Sequence, residues 1–143
     1  MIRLPAERGL QLKLIAKDLG VTLTEAIETL INREIEAGRL EDQLPLWDID
    51  VFTDGIIFDA PTFALPKLTA QQALNVANAV DKVIERAEKG GFNLILEGEK
   101  VLTIARIGRG ITFASGEKAE SVTVMMAQDL ARQLRTAAKA QSN

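Results

Sequence analysis

Residues 20–27 read Gly20-Val21-Thr22-Leu23-Thr24-Glu25-Ala26-Ile27. Glycine takes the left-handed cap conformation without steric cost, so Gly20 reads as a helix stop. Thr22 and Glu25 have the spacing of a capping box, in which the hydroxyl bonds forward and the carboxylate reaches back. One helix therefore ends, and another begins, within this stretch. Upstream, Leu12, Ile15, Ala16 and Leu19 fall at i, i+3, i+4 and i+7, one face of a helix. Downstream, Leu23, Ile27, Leu30, Ile31 and Ile35 line the second. The chain opens Met1-Ile2-Arg3-Leu4-Pro5-Ala6-Glu7, where Ile2-Arg3-Leu4 alternates as a short strand does and Pro5 suits a helix entry. Gly38 and Pro45 mark the far end, so residues 1–43 form a first segment. Two amphipathic helices of this length cannot bury their stripes alone, and without metal or disulfide the unit needs a partner, either the second segment or another copy.

Residues 44–143 have a different texture. Trp47-Asp48-Ile49-Asp50-Val51 alternates with period two, and Thr53-Asp54-Gly55-Ile56 carries Asp-Gly between apolar runs, a hairpin signal. Thr69-Ala70-Gln71-Gln72 is a second capping box, opening a helix to about Lys89 with Ala73, Ala77, Val80, Ile84 and Ala87 as its stripe and Gly90-Gly91 as its end. Residues 92–96, 101–107 and 111–114 read as three strands with tight turns at Gly98-Glu99 and Gly108-Arg109-Gly110. A last helix, about residues 122–138, spaces Met126, Leu130, Leu134 and Ala138 four apart. The order expected after residue 43 is β-β-α-β-β-β-α, an α+β domain with an antiparallel meander covered on one face by its two helices.

Composition removes several function classes. The chain has no Cys, no His and no Tyr. Zinc and iron–sulfur sites built on Cys or His, disulfides, and Ser-His-Asp or Cys-His nucleophile systems are all excluded. An enzyme would have to work with carboxylates, Lys, Arg and hydroxyls, so none is expected, and neither is a catalytic residue, a cofactor or a metal. Apolar residues are 47% of the chain, enough for a core, yet no run reaches the ~18–20 residues of a membrane span. The first residues lack the apolar stretch of a signal peptide, so the default setting is cytoplasmic. Net charge is -3, whereas nucleic-acid binders usually carry a basic excess or face.

Arg3-Leu4-Pro5-Ala6-Glu7, a helix, and then Gly20-Val21-Thr22-Leu23-Thr24-Glu25-Ala26-Ile27 together resemble the ribbon-helix-helix (Arc/MetJ-like) family over residues 1–38. The resemblance implies an intertwined homodimer in which each chain gives one strand to a two-stranded ribbon seated in the major groove of duplex DNA. It places Arg3 on the outward face of that ribbon, suited to guanine, and turns Thr22, Thr24 and nearby Lys17 toward phosphate. It implies a small transcription regulator or antitoxin-like repressor, with residues 44–143 free for further assembly or a protein partner. Two features depart from the pattern. Only Met1 and Ile2 precede Arg3, so the ribbon is short. Residues 1–43 hold six Lys/Arg (3, 8, 13, 17, 33, 39) against eight Asp/Glu (7, 18, 25, 28, 34, 36, 41, 42), a balance of -2. The rival expectation is a phage or mobile-element interaction protein that uses the module only to dimerise.

Other motifs have plainer readings. Asp48 and Asp50 share a strand face, which is normally solvated rather than metal-binding. The acids Glu97 and Glu99 beside Lys100 miss the nuclease spacing, because Gly98 stands where the acid is needed. Gly108-Arg109-Gly110 lacks the helix and Lys-Ser/Thr of a phosphate loop and reads as a hairpin turn, with Arg106 and Arg109 as a small basic spot. Met125-Met126 reads as core, and Trp47 as an anchor between the two segments or between subunits.

Overall fold

The structure is a computed structural model that describes residues 3–85 and 91–142. The chain divides into two compact units, Met1–Asp42 and Gln43–Asn143. The described residues form a mixed α+β chain with four α-helices and two antiparallel sheets.

The first unit is a helical hairpin of α1 (Ala6–Leu19) and α2 (Leu23–Glu36). Pro5, at φ -55°, leads into α1 without a side-chain cap. Gly20 ends α1 at φ 69°, ψ 31°, a left-handed conformation in which a side chain would be strained. Its N–H and that of Val21 donate to the Lys17 and Ala16 carbonyls at 3.2 and 3.0 Å. The corner that the sequence implies is thus closed by backbone bonds. The expected strand is not present in the described part. Met1 and Ile2 lie outside the described residues, and Arg3 to Pro5 are irregular. A ribbon strand takes its hydrogen bonds from a second strand, and among the described residues this unit has none.

Burial in the first unit is slight. Ala16 and Ala26 are its buried apolar residues, while Leu10 and Leu14 are 60% and 65% exposed. Leu23, Ile27 and Ile31, spaced one turn apart along α2, are also open. Leu10 and Leu14 lie opposite the Leu12–Leu19 stripe of α1, outside the face that periodicity selects.

The second unit pairs β1 (Asp48–Phe52) with β2 (Gly55–Asp59), then sets α3 (Ala70–Glu85), a four-stranded sheet and α4 (Val124–Ser142). The sheet runs β3 (Phe92–Ile95), β4 (Val101–Ile107), β5 (Gly110–Ser115), β6 (Lys118–Thr123), each antiparallel to the next. The order is therefore β-β-α-β-β-β-β-α, one strand more than the sequence suggests. Residues 118–123 contain one large apolar side chain, Val122, so their alternation is faint. Val122 does not begin the last helix, as the helical period suggests. It is buried on β6 opposite Ile111. The helix starts after Thr123, whose hydroxyl accepts from the Met126 N–H at 3.1 Å. At the first hairpin the turn is Thr53-Asp54, and Gly55 opens β2 rather than completing the turn.

Period-two alternation sends Leu102, Ile104, Ile111, Phe113 and Val122 inward, where they are buried with residues of both helices. Ala73, Ala77 and Val80 of α3 and Leu130, Leu134 and Ala138 of α4 are buried, as their spacing implies, with Ile84 and Met126 packed at the margin. Ala87, Lys89 and Gly90 lie outside the described residues. The Thr69 box forms in full: the Gln72 N–H donates to the Thr69 hydroxyl at 3.0 Å, and the Thr69 N–H donates to Gln72 Oε1 at 2.9 Å. Trp47 stacks on Phe58 (centroids 5.7 Å) and meets Phe113 edge-on (5.4 Å). It is a core residue of the second unit that ties the first hairpin to the sheet.

Candidate nucleic-acid interface

The best candidate site is the corner between α1 and α2. Thr22 is the N-cap of α2, in extended conformation at φ -72° and ψ 164°. Its hydroxyl oxygen accepts from the Glu25 N–H at 3.1 Å, and the same hydroxyl donates to Glu25 Oε1 at 2.9 Å. The box is therefore closed through the side chains, not by Glu25 returning to the Thr22 backbone. One consequence is electrostatic. The Glu25 carboxylate is drawn over the first turn of α2, where unpaired N–H groups and the helix dipole favour negative charge. A phosphate approaching this corner meets that carboxylate.

Lys17 lies in the last turn of α1, exposed, three residues before Gly20, and Thr24 is exposed in the first turn of α2. The fold thus gathers Lys17, Thr22 and Thr24 around one corner. Arg3 is exposed but stands before the opposite end of α1. A helix rises 1.5 Å per residue, so the 14 residues of α1 set Arg3 roughly 20 Å from the corner within one chain. A single copy does not bring the predicted groups together.

The surrounding charge is mixed. Glu25 accompanies the corner, and Asp18 precedes it. Farther along, Arg39 donates to both carboxylate oxygens of Glu34, through Nη2 at 3.0 Å and through Nε. That ion pair holds the Glu34 carboxyl below its ordinary range, the guanidinium outweighing desolvation, and raises Arg39 correspondingly. It neutralises one of the module's arginines at the end of α2.

The other sequence candidates stay apart. Asp48 and Asp50 are exposed on β1, and among the described residues no cluster of three acidic side chains converges as a metal site would need. Arg106 turns from the sheet toward α3 and donates to the Ile84 carbonyl at 2.9 Å, so it does not join Arg109 as a basic spot. Among the described residues no helix is long and apolar enough to cross a membrane. The open leucines of α1 carry no sequence signal of their own, because periodicity ranks one stripe per helix and Leu10 and Leu14 fall outside it. No family model, curated protein or solved structure matches this chain.

Proposed function

We propose that the chain is a ribbon-helix-helix DNA-binding protein that acts as a homodimer, a small transcription regulator of the antitoxin-like repressor kind. The observation that carries this reading is the open apolar stripe of the first unit. Two helices that bury only Ala16 and Ala26 while Leu23, Ile27 and Ile31 stay open are built for a partner. A second copy supplies one of matching shape, and its first residues supply the missing strand for Arg3. Pairing through the ribbon also resolves the ~20 Å separation, since Arg3 of one copy can then lie near the axis with a corner on each side. The Gly20–Thr22 corner supports the same reading through Lys17 and Thr24, which are exposed beside it, whereas the Thr22 hydroxyl is engaged by Glu25.

The test is a binding series on duplex DNA at rising salt with the oligomeric state measured in parallel. Dimers should bind, affinity should fall steeply with salt, and Arg3→Ala should weaken binding without dissociating the dimer. The acidic balance of residues 1–43 favours a second reading. In it the module only dimerises, and the chain is a phage or mobile-element interaction protein whose partner binds residues 44–143. An intact dimer with no affinity for duplex DNA at low salt would select that second reading. A monomer at micromolar concentration removes both.

A further inference from the structure

The face of the β3–β6 sheet turned away from α3 and α4 is unusual for a surface. In a chain that is 26% charged, no outward-facing position of the four strands carries a charge. Its centre is made of small side chains in cross-strand pairs: Ala105 opposite Thr112, Thr112 opposite Ser121, and Thr103 opposite Ala114. At its ends Ile95 and Ile107 are 75% and 65% exposed.

The hydroxyls on this face already have partners in the protein. Thr103 Oγ1 donates to Asn93 Oδ1 at 2.8 Å, and the Thr112 and Ser121 hydroxyls share a hydrogen bond at 2.9 Å. Thr123 accepts from the Met126 N–H. Covering a polar surface costs free energy mainly through hydrogen bonds to water that are not replaced. Here the hydroxyls keep their bonds when water leaves, so the face can be dried at little cost.

We infer that this face stacks on the same face of a second copy. The inference rests on the dimer reading above. A two-fold contact sets a patch against itself, so any net charge on it would meet its own kind. A charge-free patch on a chain of net charge -3 meets that requirement. Size then decides when the contact forms. Four strands about 4.8 Å apart, each about five residues long, make a footprint of roughly 19 by 17 Å, or ~300 Å². A free-standing interface needs ~800 Å² from each partner. The sheets therefore do not hold two copies together unaided. They meet once the first units have paired and raised the local concentration of the second copy to the millimolar range.

The chain has no cysteine, so a single introduced thiol is unique. Thr112→Cys puts one at the centre of the face, Ser121→Cys puts one on the neighbouring strand should the first variant fold poorly, and Lys139→Cys puts one on the exposed side of α4 as the control. Full-length protein at low micromolar concentration is treated with a short bismaleimide, and the oligomeric state is followed by sedimentation. The face variants should cross-link to dimers at least ~10-fold faster than the control, because both thiols share the tethered local concentration and only stacking holds the face thiols within the reagent's span. Adding Ala114→Lys should remove that advantage while leaving the sedimenting dimer intact. A sedimenting dimer whose face variants react no faster than the control overturns the stacking and leaves the dimer reading standing. A monomer overturns both.

Discussion

Truncating Ile31 to Ala tests the pairing of the first unit most directly. Ile31 sits on α2 with 45% of its surface open. Fully burying an Ile side chain is worth ~1.5–3 kcal/mol. The open fraction is therefore worth ~1 kcal/mol when a second copy covers it, and two copies lose ~2 kcal/mol from one substitution. At about 1.4 kcal/mol per tenfold, the dimer should dissociate roughly 30-fold more readily. Within each copy the covered part of the side chain is lost too, at a further ~1 kcal/mol, of which the better helix propensity of Ala returns a few tenths. Sedimentation equilibrium across a concentration series measures the dissociation constant, and circular dichroism at a fixed high concentration checks that α2 persists. A dissociation constant within about threefold of the parent, with helicity kept, would refute α2 as the source of the dimer contact. A parent thermal midpoint that does not rise with protein concentration would refute it equally, since a dimer that forms only from folded chains must show that rise.

Three other expectations concern single elements. Thr22→Ala should lower the stability of the first unit by ~1 kcal/mol, read from helicity in urea, while Thr22→Asp should keep most of it because a carboxylate can also cap α2. Gly91→Ala should lower the stability of the second unit by more than ~1 kcal/mol. Gly91 sits at φ 76°, and an added Cβ would lie 2.3 Å from the Ile104 carbonyl oxygen. Trp47 is the sole tryptophan, so its fluorescence follows that unit alone. Last, the lowered Glu34 carboxyl and the likewise lowered Asp54, paired with Lys67, stabilise the fold where they are ionised. Because their folded values lie below the unfolded ones, that stabilisation is present above the ordinary carboxylate range and is lost as pH falls through the folded values. Arg39→Gln should flatten the acid limb of the stability profile slightly. Added salt should mimic it, since both ion pairs are exposed.

Much of the local structure was legible from residue types alone. Gly20 between two periodic stripes marks a helix corner because only glycine takes that backbone conformation freely. The Thr22 and Thr69 boxes mark helix starts because a hydroxyl three residues ahead of an amide can cap it. Alternation at 101–107 marks a strand because successive side chains leave a sheet on opposite faces. β6 was not legible, since Lys118, Ala119, Glu120 and Ser121 carry no apolar signal and belong to the sheet through hydrogen bonds to β5 that no local pattern encodes. Trp47 could be read as buried but not as to where, because its neighbours Phe58 and Phe113 come from elements farther along the chain. The candidate corner was likewise visible as Lys17, Thr22 and Thr24. Capping and periodicity are local properties, and from them alone follow the corner at Gly20, the starts of α2 and α3, and most of the residues that face inward. The openness of Leu10, Leu14 and the α2 stripe, the place of Glu25 over the α2 N-terminus, and the uncharged outer sheet face with its hydroxyls paired emerge from the folded chain. Those relations depend on how strands and helices pair, and pairing is what local patterns do not encode.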